Sequence, residues 1–118
     1  MAIDPSVINE YREVLGEEFA PFFTDLIETF FTSGPEFIET MKEALNANDA
    51  ESFTRAAHTL KSNCKTFGAM EFAEMAYELE KLGSAGDLNT ARQKLPILEA
   101  SYQQLVAELE NLRDQLGK

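Results

Sequence analysis

Apolar residues recur every three to four positions along almost the whole chain, which is the spacing of an amphipathic α-helix. No stretch alternates apolar and polar residues for long enough to predict a strand, and the Asn-Gly and Asp-Gly pairs that favour hairpins are absent from the sequence. We therefore expect an all-α protein.

Start and stop signals divide this pattern into five helices. Asp4 followed by Pro5 predicts the N-cap and the first turn of a short first helix, which ends at Gly16. A second, phenylalanine-rich helix begins near Glu17. Its apolar spacing resumes after Ser33-Gly34-Pro35, which favours one long kinked helix over two.

Capping residues and glycines also bound the next two helices. Asn48 and Glu51 resemble a capping box and predict a third helix that runs to about Thr66. Gly68 supplies the left-handed exit from this helix. The fourth helix is expected to stop at Gly83.

A leucine-rich fifth helix completes the predicted architecture. Asp87 is its expected N-cap, and Pro96 is expected to kink it within its first half. Since short loops between long amphipathic helices favour antiparallel neighbours, we predict an up-down-up-down four-helix bundle with a short extra N-terminal helix. A chain of 118 residues is one domain by size, so this bundle is expected to span residues 1–118.

The charge balance excludes several classes of partner. The chain has 10 Lys and Arg residues against 21 Asp and Glu residues, a net charge of −11, so nucleic acids and anionic membranes repel it. No apolar run approaches the roughly 20 residues that a membrane span needs, and no signal peptide is expected at the N-terminus. We expect a cytoplasmic monomer that neither binds nucleic acid nor inserts into membranes.

The single cysteine and the single histidine exclude two kinds of metal site. Cys64 has no second cysteine with which to form a disulfide or a cysteine-based zinc site. His58 has no second histidine with which to form a histidine-pair site. We therefore expect no metal site on this chain.

The third helix has one unusual face, and His58 lies at its centre. With an advance of about 100° per residue, the apolar residues of this helix fall on the opposite side. Cys64 is among them, which predicts a core residue. Within about 60° of the histidine lie Glu51, Thr54, Arg55, Lys61, Ser62 and Lys65.

Three residues of this face are cations in an otherwise acidic chain. Arg55, Lys61 and Lys65 form a local positive spot, which suits a small, strongly charged anion. Ser62, one turn after His58, is small enough to leave the imidazole uncovered, and its hydroxyl can donate a hydrogen bond. A lone histidine on a helix surface is more often an ordinary polar residue, and the spacing alone leaves that interpretation open.

The run from Ala57 to Ala69 resembles the motif of histidine-containing phosphotransfer (HPt) domains, roughly A-H-x-L-K-G-S/A-x-x-x-h-G-A, where h is apolar. The positions that match at identical spacing are His58, Leu60, Lys61, Phe67, Gly68 and Ala69. Leu60, Gly68 and Ala69 are structural positions of the motif. The order and character of the helices are similar as well, so the resemblance covers nearly the whole chain.

The sequence departs from the motif at Ser62, where glycine is usual, and at Asn63, where serine or alanine is common. Glycine at the first of these positions gives a docking partner the closest approach to the histidine. Because serine is nearly as small, we expect access to His58 to be retained, with the rate of transfer and the choice of partner affected.

The resemblance implies a phosphorelay intermediate. A receiver-domain aspartate passes its phosphoryl group to His58, which passes it to another receiver aspartate, or the transfer runs in reverse. The charge on the transferred oxygens must be neutralised. The residues expected to do so are Lys61, Ser62, Lys65 and Arg55.

The resemblance also implies the partners and the cofactor. The expected partners are response-regulator receiver domains, a sensor histidine kinase, or both. Mg²⁺ is expected on the receiver, and no cofactor is expected on this chain. The chain is therefore expected to be a phosphocarrier without kinase activity of its own.

The first helix is part of the surface on which we expect a receiver to dock. It is too short to need all of its apolar residues for its own attachment, and even transient interfaces bury some apolar area. The resemblance places such a helix beside the histidine end of the bundle. The expected contact residues are Val7, Ile8, Tyr11, Phe22 and Phe23, with the alternative that each belongs to the core.

Three alternative functions belong to other classes. A pure interaction module, in which His58 is incidental, stays open. An autonomous kinase is disfavoured because the chain has no nucleotide-binding segment. A metal carrier is disfavoured because one histidine cannot assemble a specific site from scattered carboxylates.

Overall fold

Five α-helices and one 3-10 turn make up the computed structural model, which describes residues 3–117. The helices are α1 (Pro5–Leu15), α2 (Phe19–Asn46), α3 (Ala50–Lys65), α4 (Met70–Ser84) and α5 (Leu88–Leu116), and the 3-10 turn is Gly16–Glu18. The four longer helices form a ring, because α2 and α4 each pack against both α3 and α5. The predicted four-helix bundle with an extra N-terminal helix is confirmed.

Aspartates cap the N-termini of three helices. Asp4 and Asp87 cap α1 and α5 as predicted, each accepting a backbone amide hydrogen bond, at 2.9 and 3.2 Å. The predicted cap of α3 was wrong by one residue. Its N-cap is Asp49, which accepts from the amide and the hydroxyl of Ser52 at 3.1 and 2.6 Å. Asn48 instead turns the chain into α3 with a φ of +54°.

Two other helix boundaries differ from the prediction. α2 begins at Phe19, after the 3-10 turn, rather than near Glu17. α4 does not stop at Gly83 but continues to Ser84. A Cβ on Gly83 would lie 2.9 Å from Cδ1 of Phe53, so this glycine allows α4 to approach α3 closely and does not end the helix.

The middle of α2 packs against Tyr102 of α5. α2 runs unbroken through Pro35, which confirms a single long second helix. One residue earlier, Gly34 leaves room for the Tyr102 ring, since a Cβ there would lie 2.6 and 2.7 Å from two ring carbons. The Tyr102 hydroxyl donates to the carbonyl of Phe30 at 3.3 Å. The Phe30 ring in turn contacts that of Phe67, at 5.3 Å between centroids. Aromatic rings therefore join α2 and α5 to the end of α3.

The turn between α3 and α4 anchors the N-terminal helix. Gly68 in this turn has a φ of +69°, and its carbonyl accepts a hydrogen bond from the Asp4 amide at 3.1 Å. A Cβ on Gly68 would lie 3.0 Å from Cβ of Val7. α1 therefore begins at the end of the bundle where α3 ends.

α3 and α4 pack through small side chains. Ala57 on α3 and Ala73 and Ala76 on α4 are buried. Because the distance between two packed helices depends on the side chains at the contact, these alanines keep α3 and α4 close together. Polar side chains at the edge of this contact therefore come within hydrogen-bond distance. Within residues 3–117, no helix combines the length and the apolar character needed to cross a membrane.

Candidate functional site

His58 projects from the exposed side of α3 and is held by a carboxylate on α4. Its side chain is 59% exposed. Nδ1 of the ring lies 3.1 Å from both carboxylate oxygens of Glu80. The predicted position of His58 on the solvent side of α3 is confirmed. The structure also shows a contact with Glu80 on α4 that the spacing of α3 did not predict.

Glu80 also accepts a hydrogen bond from Lys61. Nζ of Lys61 lies 2.7 Å from Oε1 and 3.4 Å from Oε2 of the carboxylate. The side chains of Lys61 and Glu80 are only 14% and 16% exposed. Burial raises the pKa of Glu80, but the hydrogen bonds from Lys61 and His58 outweigh it and hold that pKa below its ordinary value. Glu80 is therefore an ionised carboxylate at neutral pH.

The charge state of Glu80 determines which ring nitrogen of His58 has the proton. An ionised carboxylate has only acceptor sites, so Nδ1 of His58 must be the donor. In the neutral imidazole the other nitrogen, Nε2, then has a free lone pair. Nε2 has no hydrogen-bond partner within residues 3–117. The geometry therefore leaves one unprotonated nitrogen open to a docking partner.

Lys61 does not lie where the helix spacing placed it. Instead of projecting into solvent beside His58, it turns toward α4, where its ammonium lies 4.7 Å from the ring centroid of Tyr77. The ammonium of Lys81 lies 4.6 Å from the same centroid. Two cations therefore share one aromatic ring. Lys61 turns inward because its ammonium can then form an ion pair with Glu80 and a cation–π contact with Tyr77. A side chain that projected into solvent would make neither contact.

The other predicted phosphate-stabilising residues have different surroundings. Arg55 forms an ion pair of 2.7 Å with Glu51, on its own helix. Lys65 is exposed and has no ion pair in the part of the chain that is described. The hydroxyl of Ser62 donates to the backbone carbonyl of His58 at 3.1 Å. Only Lys61 among these side chains shares a partner with the His58 ring.

The structural positions of the motif and the single cysteine lie where the sequence predicts. Leu60 and Ala69 are fully buried, and Gly68 has the positive φ expected of a helix exit. Cys64 is buried as well, and this burial raises the pKa of its thiol to about 12. Cys64 is therefore a core residue.

The predicted docking residues divide into two groups. Phe23 is completely buried and Ile8 is 6% exposed, so their assignment as contact residues was wrong. Both are needed in the core, where Phe23 contacts the ring of Tyr11 at 5.7 Å between centroids. The remaining three residues line an open groove of about 380 Å³ between α1 and α2. The lining residues are Val7, Glu10, Tyr11, Val14, Leu15 and Phe22.

Sequence reasoning missed Glu80 and the role of Tyr77. Glu80 is 22 residues from His58 in the chain, so no local motif joins them. One signal was available: Glu80 lies one turn from the buried small residues Ala76 and Gly83, which mark the face of α4 that packs against α3. No group of three or more His, Cys, Asp or Glu side chains within residues 3–117 is arranged to hold a metal ion.

Comparison with known proteins identifies the family and agrees with the fold. The family model described as "Hpt domain" matches residues 25–115. The chain belongs to the Hpt domain family. This Hpt domain is similar to the crystal structure of histidine-containing phosphotransfer protein B (HptB) from Pseudomonas aeruginosa PAO1. The two are 25% identical with a TM-score of 0.85, over 96% of this chain and 95% of the other. A search of curated protein sequences finds no match to this Hpt domain.

Proposed function

We propose that His58 accepts a phosphoryl group on Nε2 from a receiver-domain aspartate and donates it to another. The single observation that carries this proposal is the contact between Nδ1 of His58 and the carboxylate of Glu80 at 3.1 Å. This contact leaves the lone pair on Nε2, the ring nitrogen that Glu80 does not contact. It also supports a nucleophilic role for His58 over that of an ordinary surface residue.

The transfer is a displacement at phosphorus. The lone pair of Nε2 forms the N–P bond while the O–P bond to the receiver aspartate breaks, and the aspartate leaves as a carboxylate. Positive charge rises on the imidazole as the N–P bond forms. Glu80 stabilises that charge through the Nδ1–H hydrogen bond, because a hydrogen bond to an ionised group is stronger than a neutral one. Donation to the next receiver reverses these bond changes.

Lys61 has an indirect role in this proposal. Its hydrogen bond of 2.7 Å fixes Glu80, and Glu80 fixes the ring of His58. Lys65 is exposed and has no ion pair within residues 3–117, but it lies about 10 Å along α3 from His58, so it is proposed to contact the receiver rather than the phosphoryl oxygens. Mg²⁺, which neutralises charge in phosphoryl transfer, is proposed to belong to the receiver. The chain then acts as a monomeric phosphocarrier that needs no kinase activity of its own.

The proposed function is tested by incubating the chain with a receiver domain phosphorylated by acetyl phosphate, and then mapping the modified residue by mass spectrometry. We expect one phosphoryl group, on His58, that is lost in acid and retained in base, as in a phosphoramidate. A phosphoryl group on any other residue, or none at all, contradicts the proposal.

Replacing Glu80 is expected to slow the transfer. Glu80→Gln retains the size of the side chain but removes its charge. Because a glutamine amide can donate as well as accept a hydrogen bond, it no longer requires the proton of the imidazole to be on Nδ1. We expect a rate about 10- to 100-fold lower, since a hydrogen bond to a charged group contributes roughly 1.5–3 kcal/mol. The measurement is the single-turnover rate of transfer from a phosphorylated receiver.

Glu78→Gln is the matched control for this experiment. Glu78 lies on the same helix but pairs with Lys94 at 3.2 Å, away from His58. Its replacement removes the same charge and is expected to leave the rate within about twofold, because exposed ion pairs contribute little. Equal rates for the Glu80 and Glu78 variants would show that Glu80 has no part in the transfer.

The groove between α1 and α2 is proposed to contact the receiver through Val7, Tyr11 and Phe22. Phe22 is 44% exposed, so Phe22→Ala removes apolar contact area without opening the core. We expect the Kd for a receiver to rise about fivefold, the equivalent of about 1 kcal/mol. Ile97→Ala, at a residue of α5 that is 60% exposed, is the matched control and is expected to leave the Kd unchanged. An unchanged Kd for the Phe22 variant, measured by titration, rules this contact out.

A further inference from the structure

A second groove lies along α3 on the C-terminal side of His58. It lies between α3 and α4, has a volume of about 340 Å³, and is lined by Lys61, Lys65, Met70, Ala73, Glu74 and Tyr77. Met70 is 54% exposed and Tyr77 is 40% exposed, which makes them two of the five exposed large hydrophobic residues within residues 3–117. The groove thus combines apolar area with lysines next to the nucleophilic histidine.

This groove is continuous with the transfer site. Lys61, in its wall, bonds to Glu80, and Glu80 bonds to the ring of His58. From there α3 rises by about 1.5 Å per residue, so Lys65 lies about 10 Å along the helix from His58. Standard interfaces bury about 800 Å² on each partner, a patch about 30 Å across. A partner that brings its aspartate to Nε2 therefore also covers the groove.

The charge of the groove is opposite to that of the rest of the chain. The net charge is −11, yet two lysines have no ion pair within residues 3–117: Lys65, which lines the groove, and Lys81, which lies against the ring of Tyr77. Glu74 is the only carboxylate among the lining residues, and the charge of Lys61 is balanced by Glu80. Unpaired lysines beside exposed apolar side chains favour a partner segment with carboxylates next to an apolar residue.

We propose that the α3–α4 groove binds an acidic segment of the receiver domain that docks over His58, and that Lys65 and Lys81 select receivers with such a segment. The inference rests on the proposed function, because the receiver is taken to be the phosphoryl donor or acceptor of His58. The apolar residues of the groove that are proposed to contact this segment are Met70 and Tyr77. Tyr77 also keeps Lys81 in place, at 4.6 Å from the ring centroid to the ammonium.

The test compares two charge-reversed variants of the intact chain. Lys65→Glu with Lys81→Glu alters the groove. Lys42→Glu with Lys94→Glu changes the net charge equally at two lysines paired with glutamates elsewhere, at 2.9 and 3.2 Å. The probes are purified receiver domains phosphorylated by acetyl phosphate, and the readout is kcat/KM for transfer to the chain.

For a receiver that phosphorylates the unaltered chain, the groove variant is expected to lower kcat/KM at least about tenfold and the control variant less than about threefold. The difference is expected to shrink at about 0.5 M salt, because exposed charges are then screened. Phosphoramidate, a small phosphoryl donor, measures the reactivity of His58 without a partner. In the groove variant, the rate of phosphorylation by phosphoramidate is expected to fall much less than kcat/KM for transfer from the receiver.

The outcomes separate the two proposals. If no receiver transfers to the unaltered chain, the proposed function is wrong and the groove proposal is overturned with it. If a receiver transfers equally to both variants, or if phosphoramidate reactivity falls as much as receiver transfer, the groove proposal alone is overturned. A loss of transfer from a sensor kinase, with receivers unaffected, assigns the groove to the kinase and also overturns it.

Discussion

His58→Gln is expected to abolish phosphoryl acceptance completely while the bundle remains folded. The loss is complete because His58 is the only histidine of the chain, so no neighbouring imidazole can replace it. The fold remains because the side chain is 59% exposed and a glutamine amide can still donate to Glu80. We expect the free energy of unfolding to change by less than about 0.5 kcal/mol. Acid-labile label from a phosphorylated receiver and thermal unfolding followed by circular dichroism measure the two effects.

Asn63→Ala is a suitable control, since it alters the same helix without touching the imidazole or its hydrogen bonds. It is expected to accept the phosphoryl group. Acid-labile label on the His58→Gln variant would assign the acceptor to another residue. An unfolded His58→Gln variant would mean that the histidine is a structural residue.

Gly34→Ala is expected to have the largest effect on stability. A Cβ at this position would lie 2.6 Å from a ring carbon of Tyr102, and that ring cannot move away because it is buried against Phe30 and Phe72. Overpacking of a core costs about 1–3 kcal/mol, even though alanine is the better helix former. We expect Tm to fall by roughly 5–15 °C, measured by thermal unfolding.

Two variants check this explanation. Gly117→Ala has space for its Cβ, whose nearest atoms are 3.7 Å away, and is expected to leave Tm unchanged. Tyr102→Leu removes the ring that the new methyl group meets, so Gly34→Ala is expected to cost much less in that background. An equal cost with and without the Tyr102 ring would contradict the packing argument.

The fold could be predicted closely from the sequence because its signals are local. Asp4 and Asp87 cap helices through their own neighbours, and the apolar spacing of α2 continues past Pro35. The error at the N-cap of α3 was a choice between two neighbouring polar residues, Asn48 and Asp49, that fit the same local rule. The error at Gly83 arose because a tertiary contact overrides a local signal. Gly83 fits the rule for a helix end, but Phe53 and Thr54 of α3 pack where its side chain would be.

The candidate site could be predicted only in part, for the same reason. His58 and its exposure follow from the spacing of a single helix. The position of Lys61 does not, because Glu80 and Tyr77 on α4 draw its side chain inward. The contact between Glu80 and His58 depends on how closely α3 and α4 pack, which the spacing of either helix alone does not determine.

The central claim is that Glu80 keeps the proton on Nδ1 of His58, so that Nε2 receives the phosphoryl group. The most direct test is ¹⁵N NMR of the His58 ring in the free and phosphorylated chain. We predict a protonated Nδ1 and an unprotonated Nε2 in the free chain, and phosphorus–nitrogen coupling to Nε2 after phosphorylation. A phosphoryl group on Nδ1, or a free ring with its proton on Nε2, would contradict the account.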